Sequence, residues 1–176
     1  MATDLYDLTI PVLIRALRNL SAVLAKGAAF AEDQDIDPAT LTQARLIADM
    51  RPLTAQVQLA TDSAKGAAIR LGDLDPFPLA DTESSFAELQ ERIAKTVTFL
   101  EAVPRDRIDG REEAEIVLQT PGGSLTFAAR AYVLDFVLPN VFFHVTMAYA
   151  LLRQAGAPLG KLDYLGPIEF KPAEAA

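Results

Sequence analysis

The sequence predicts a single, mainly helical domain: an antiparallel four-helix bundle with a short extra helix and a small β-hairpin before the last helix. Four long segments space their apolar residues three or four positions apart, which is the repeat of one helix face. Proline, glycine and polar clusters separate these segments. Residues 1–170 are enough to bury one core, and the chain contains no cysteine that could form a disulfide. The last six residues, 171–176, are predicted to be a disordered tail.

The first long helix is predicted from Leu5 to about Lys26. Pro11 falls inside it and lacks an amide hydrogen, so its ring should crowd the carbonyl of Asp7. We therefore expect the first turns to be kinked or separately capped. Gly27 is expected to end the helix.

Two helices are predicted next. Asp37 before Pro38 is typical of a helix start, with a side-chain acceptor followed by a residue whose φ is already helical. A short helix should then run to about Ile47. Pro52 breaks the chain again. The second long helix is predicted from Leu53 to Leu71, with Gly72 as its stop.

The third long helix should begin with a capping box made by Ser85 and Glu88, and Pro104 should close it. The preceding segment, 73–84, is predicted to be an irregular connection because it combines two prolines with polar residues. Beyond the helix, two short alternating runs flank a Pro-Gly-Gly turn. They predict a hairpin with strands at 115–120 and 124–127.

The last helix is predicted from about Ala128 to Ala155, with a bend near Pro139. Its apolar stripe is expected to consist of Leu134, Leu138, Val141, Val145, Ala148 and Leu152. The segment 158–166 is expected to be irregular because it is rich in glycine and contains a proline.

The charge balance limits the possible partners. The formal net charge is -8, so the surface should repel phosphate backbones and anionic lipids, and neither nucleic acid nor a membrane is an expected partner. The most apolar run, 137–152, is shorter than the roughly 20 residues that span a bilayer. Asp4 and Asp7 stand where a signal peptide would carry basic residues, which predicts a cytoplasmic protein.

The last helix also carries a family resemblance. The run LPNVFFHVTMAYALLRQAG, followed by Gly160-Lys161, resembles a bacterial family of unknown function placed among the DinB/YfiT-like metalloenzyme relatives, and the match covers nearly the whole chain. Other matching segments are Arg45-Leu46, Asp49-Met50, Pro52-Leu53, Gln56-Val57-Gln58, Ala64-Lys65-Gly66-Ala67, Phe86-Ala87-Glu88-Leu89 and Pro121-Gly122-Gly123.

This resemblance implies a four-helix bundle with a cleft at one end, often dimeric, in which relatives bind a divalent metal through three histidines. Three imidazoles must converge on one ion in such a site. The chain contains a single histidine, His144, so the implied site does not carry over. We predict no cofactor, with a divalent metal at His144 as the alternative.

The candidate pocket is centred on His144. Asn140 lies one helical turn before it, and a carboxylate from Asp62 or Asp135 could complete a polar site. Bends at the two helix prolines could open a cavity there. Its apolar walls would come from Phe142, Phe143, Met147 and Tyr149. Alternatively, these side chains fill the core or a dimer seam.

Three interpretations follow from these observations, the last of which is a purely structural dimer that binds no ligand. The first is a small-ligand-binding or interaction module without the metal triad, acting as a homodimer. The second is a divergent metal-dependent or histidine-based enzyme, a hydrolase or thiol transferase centred on His144. The second requires polar side chains that converge on His144 in a water-accessible cleft, whereas the first allows that ring to be packed and hydrogen-bonded.

Overall fold

The computed structural model describes residues 4–120 and 122–169. Four long helices form a ring in the order α1, α4, α3, α6. Their bounds are α1 Leu5–Asp33, α3 Leu53–Gly72, α4 Phe86–Glu101 and α6 Leu138–Gln154. The mainly helical bundle is confirmed. The predicted tail at 171–176 lies outside the described residues.

The directions of the helices are more varied than a purely antiparallel bundle. Gln56 and Ser63 of α3 meet His144 and Asn140 of α6 in reverse order, so this pair is antiparallel. By contrast, α3 and α4 are parallel: Gln58, early in α3, contacts Glu83 just before α4, and Leu71, at the end of α3, contacts Arg111 beyond the end of α4. The irregular connection that follows α3 therefore returns the chain to the other end of the bundle, as long crossovers do in other bundles.

α1 extends seven residues past the predicted end, to Asp33, and runs without interruption through Pro11. The expectation that Gly27 ends it is wrong. Gly27 lies inside the helix and is buried, and a Cβ there would stand 2.8 Å from a methyl carbon of Leu152 on α6. The glycine therefore permits a close approach of two helices.

The short helix α2 spans Pro38–Thr42, so its start is confirmed and its predicted length is wrong. The Asp37 carboxylate accepts a hydrogen bond from the amide of Ala39 at 2.9 Å. The capping box of α4 is also confirmed. The Ser85 hydroxyl accepts from the amide of Glu88, while the Glu88 carboxylate accepts from the Ser85 amide.

The hairpin is confirmed, with β1 at Glu115–Thr120 and β2 at Gly123–Ala128 in antiparallel register. A three-residue helix, α5 at Ala129–Ala131, leads from β2 towards α6. Phe127 packs against Tyr132 and Phe136, which ties the hairpin to the helix that follows.

Between α5 and α6 the residues Tyr132–Val137 form a π-helical turn that ends two residues before Pro139. A π turn closes its hydrogen bonds one residue later than an α turn and so takes up an extra residue. The predicted apolar stripe is therefore wrong upstream of Pro139. Val133 and Val137 are buried, while Leu134 is 44% exposed.

The C-terminal segment contains a short helix, α7 at Lys161–Leu165, where irregular structure was expected. The Asp163 carboxylate accepts from the amide of Gly160 at 2.7 Å and so caps its first turn.

Two described helical stretches, Leu5–Asp33 and Ala129–Gln154, have the length and apolar composition of a membrane span. In the structure both belong to the bundle, and half of the most apolar window of the first is buried. Core helices of globular proteins meet the same criterion.

Candidate functional site

His144 is held by a hydrogen bond across the seam between α3 and α6. Its Nδ1 lies 2.8 Å from Oε1 of Gln56, whose amide group donates in turn to the carbonyl of Arg51 at 3.0 Å. Because that second bond fixes the amide nitrogen of Gln56, its oxygen faces the ring, and Nδ1 is assigned the proton. Burial lowers the pKa of His144, which favours the neutral ring.

A second polar bridge joins the same two helices, one turn away along α6 and about two turns away along α3. The Asn140 side-chain amide donates to the hydroxyl of Ser63 at 2.7 Å. We call the surface formed by Gln56, Leu59, Ser63, Asn140, Phe143 and His144 the α3–α6 seam. The predicted juxtaposition of Asn140 with His144 thus exists, but each side chain has a partner on α3, which neither the spacing nor the composition of α6 could indicate.

The predicted aromatic wall is divided between two places. Phe143 contacts the His144 ring edge-on, with centroids 5.3 Å apart, and is half exposed. Tyr149 instead packs edge-on against Tyr164 of α7. Met147 is half-buried.

The two predicted carboxylates do not complete a site with His144. Asp62 accepts from Arg92 at 2.6 Å and from Lys65 at 2.8 Å. Asp135 is exposed in the π turn. Among the described residues, no group of three or more His, Cys, Asp or Glu side chains is arranged to bind a metal. The residues around His144 therefore do not fit the three-histidine centre that the resemblance implies.

Sequence reasoning missed a buried arginine, Arg92, whose side chain is only 1% exposed. It donates to Thr61, Asp62, Glu83 and the carbonyl of Ala80, and Asp81 lies 3.0 Å away. We call this group the Arg92 cluster. One signal could have revealed it: Arg92 lies three residues after the buried Leu89 and four before the buried Thr96, so it occupies a core-facing position of α4.

A cleft of about 420 Å³ lies between α1, α6 and α7. Its walls are mainly apolar, and its polar groups come from Arg15, Asn19 and Tyr164. The lining residues are Val12, Arg15, Ala16, Asn19, Phe142, Val145, Tyr164 and Leu165. Of the predicted pocket residues only Phe142, which was expected beside His144, lies in this cleft.

The C-terminal wall of the cleft is fixed to α1. The Asn19 side-chain amide donates to the carbonyls of Tyr164 and Leu165, each at 3.0 Å, and Asn19 is buried. Lys26, also on α1, forms an ion pair with Asp163 of α7 at 2.6 Å. Gly166 turns the chain with φ +68°, and a Cβ there would collide with Oδ1 of Asn19. A glycine is therefore required at this turn.

The fold and these residues can be compared with known proteins. The family model described as Domain of unknown function (DUF1993) matches residues 5–165. The chain belongs to this family. This DUF1993 domain is also similar to a solved structure, a DinB family member protein from Shewanella denitrificans. The two are 37% identical, with a TM-score of 0.85, and the match covers 95% of this chain and 94% of that one. No curated protein matches the DUF1993 chain.

Proposed function

We propose that this DinB-like chain is a small-ligand-binding module and that its ligand occupies the cleft between α1, α6 and α7. The observation that supports this is the cleft itself, an apolar depression with a few polar groups at defined positions. Its volume of about 420 Å³ falls within the roughly 300–1,000 Å³ of known small-molecule sites.

The cleft is also pre-organised. Its floor comes from two bundle helices, and its outer wall is tied to α1 by the two hydrogen bonds of Asn19. Because these elements are ordered on folding, a ligand does not have to order them on binding, which favours affinity.

The alternative of a His144-centred enzyme has less support. The ring is hydrogen-bonded to Gln56 and packed against Phe143. Of the two carboxylates considered for it, Asp62 is paired with Arg92 and Asp135 is exposed in the π turn. A general base or metal centre needs polar groups that converge on the reacting atom.

The proposal can be tested with the uncharged fluorescent probe N-phenylnaphthylamine, titrated into the full chain. We expect saturable binding. Phe142→Ala should weaken it about tenfold, since Phe142 lines the cleft, is 37% exposed without ligand, and would lose part of the transfer free energy of an aromatic side chain.

The neighbouring substitution Phe143→Ala is the matched control, because Phe143 is also an exposed aromatic side chain but lies on the α3–α6 seam. It should leave probe binding unchanged. Absence of saturable binding to the folded wild-type chain, or equal losses in both variants, would contradict the proposal.

Self-association through the α3–α6 seam is a second candidate. Phe143 is 50% exposed, and Leu59 on the facing helix is 37% exposed. Large exposed apolar side chains grouped on one surface are typical of interfaces. Sedimentation equilibrium should then show a homodimer that Phe143→Arg converts to a monomer, while Leu162→Arg, at an exposed position on α7, leaves it intact. A monomeric wild-type chain would exclude this candidate.

A further inference from the structure

One charged side chain in the cleft distinguishes it from the rest of the surface. Arg15 on α1 lines both the cleft and an adjoining hollow that also includes Arg18 and Glu101. Arg18 is paired with Glu101. Within residues 4–120 and 122–169, Arg15 forms neither an ion pair nor a side-chain hydrogen bond, so its guanidinium is free to bind a ligand.

The charge inside the cleft is opposite to that of the chain. The chain has a formal net charge of -8, yet the lining of the cleft contains one arginine and no acidic residue. Arg15 is exposed, so water partly screens its attraction for an anion, and the apolar wall beside it strengthens that attraction relative to open water.

The other polar groups of the cleft favour an acceptor as well. The hydroxyl of Tyr164 accepts from Thr146 at 3.1 Å and retains its own proton for donation. The side-chain NH2 of Asn19 already donates to two backbone carbonyls of α7 and is not available as a donor to a ligand. Two donors, Arg15 and Tyr164, thus remain beside the apolar walls formed by Phe142 and Val145.

We infer that the ligand of this cleft is an organic acid: a compact apolar body, aromatic or branched, that bears one carboxylate bound by Arg15. A guanidinium matches a carboxylate with two parallel hydrogen bonds, which sets the orientation of the ligand. This inference rests on the proposed function, since it names the class of ligand for the same cleft.

The test uses two molecules that differ only in charge, naphthylacetate and its neutral amide, naphthylacetamide. Their fluorescence can be followed directly because the chain contains no tryptophan. We expect the acid to bind roughly fivefold more tightly than the amide, between the effect of an exposed ion pair and that of a buried charged hydrogen bond. The preference should fall at 1 M salt.

Arg15→Gln should abolish the preference while the amide binds as before, and Arg15→Lys should restore part of it. The matched control is Arg130→Gln, which removes the same charge from an exposed position that lines neither the cleft nor the hollow. It should retain the full preference.

The outcomes separate the two proposals. Equal binding of acid and amide to the wild-type chain, or a preference that survives Arg15→Gln, would overturn the inference and leave the ligand-binding cleft in place. If neither molecule nor the uncharged probe binds the folded chain, the proposed function fails as well.

Discussion

Two arginines in this chain have similar partners and opposite surroundings. Arg92 lies in the core with three carboxylates, those of Asp62, Asp81 and Glu83. Arg105, in the turn after α4, also meets three carboxylates, those of Asp4, Asp7 and Asp109, but its side chain is 48% exposed. Because each arginine meets the same number of carboxylates, the comparison isolates the effect of burial on stability from the effect of the number of ion pairs.

The two arginines differ in the elements that they connect and in how far water can hydrate the carboxylates if the arginine is removed. Arg92 joins α3, α4 and the crossover that follows α3, and its side chain is almost fully buried. Arg105 joins the start of α1 to the turn after α4 and packs over the ring of Tyr6 at 4.6 Å. Exposed pairs contribute little because water and salt screen them, whereas a buried charge without its partners is costly.

The largest expected effect is that of Arg92→Met. It leaves the hydroxyl of Thr61 without its donor and leaves Glu83 with Gln58 as its remaining side-chain donor. We expect a loss of about 3 kcal/mol in the free energy of unfolding, near the low end for a broken buried ion pair, because Asp62 and Asp81 still reach water. Urea unfolding followed by circular dichroism measures it. A loss as small as that of an exposed pair would show that methionine repacks the site.

Acid should have the next largest effect. Burial raises the pKa of Glu83, but hydrogen bonds from Gln58 and Arg92 outweigh it, so the pKa is lowered overall. The hydrogen bond from Arg105 lowers the pKa of Asp7. Groups with a lowered folded-state pKa stabilise the protein above their unfolded pKa, about 4, and that stability is lost as pH falls through the folded value.

The urea midpoint should therefore decrease slightly below about pH 6.5, where His144 takes up a proton in the unfolded chain before it does in the folded one, and more steeply below about pH 5, where the carboxylates are protonated. The decrease should be shallower in Arg92→Met, because Glu83 then loses one of the donors that lower its pKa. If the urea midpoint of the variant and of the wild type decreased equally at low pH, the responsible carboxylates would lie outside the Arg92 cluster.

The smallest effect should be that of Arg105→Met, the same substitution in the exposed group. The urea midpoint should shift only slightly at low salt, and the shift should disappear at about 1 M NaCl, where the screening length is roughly 3 Å. A loss equal to that of Arg92→Met would mean that burial does not decide the energetics of these two groups.

Local signals predicted the fold well. The Ser85 capping box, the Asp37 cap and the hairpin all depend on residues close together in the chain, and each was found where expected. Gly27 was misinterpreted because its role depends on Leu152, which is 125 positions away in sequence. The buried face before Pro139 was misplaced because a π turn shifts the helical repeat without a clear mark in composition.

The candidate site was predicted less well, for the same reason. The spacing of α6 correctly places Asn140 and His144 one turn apart, but their partners, Ser63 and Gln56, lie on another helix. The cleft brings α1 and α7 together through Asn19, and no pattern within either helix indicates that contact.

The π turn at Tyr132–Val137 has a consequence for insertions and deletions. A helix that accommodates one surplus residue can lose it and remain continuous. We expect deletion of Leu134, whose side chain is largely exposed, to convert the wide turn into an α turn while Val133 and Val137 stay in the core. Deletion of one residue in the middle of α4 would instead rotate half of its apolar face into water. The melting temperature should therefore fall much more for the deletion in α4 than for the deletion of Leu134.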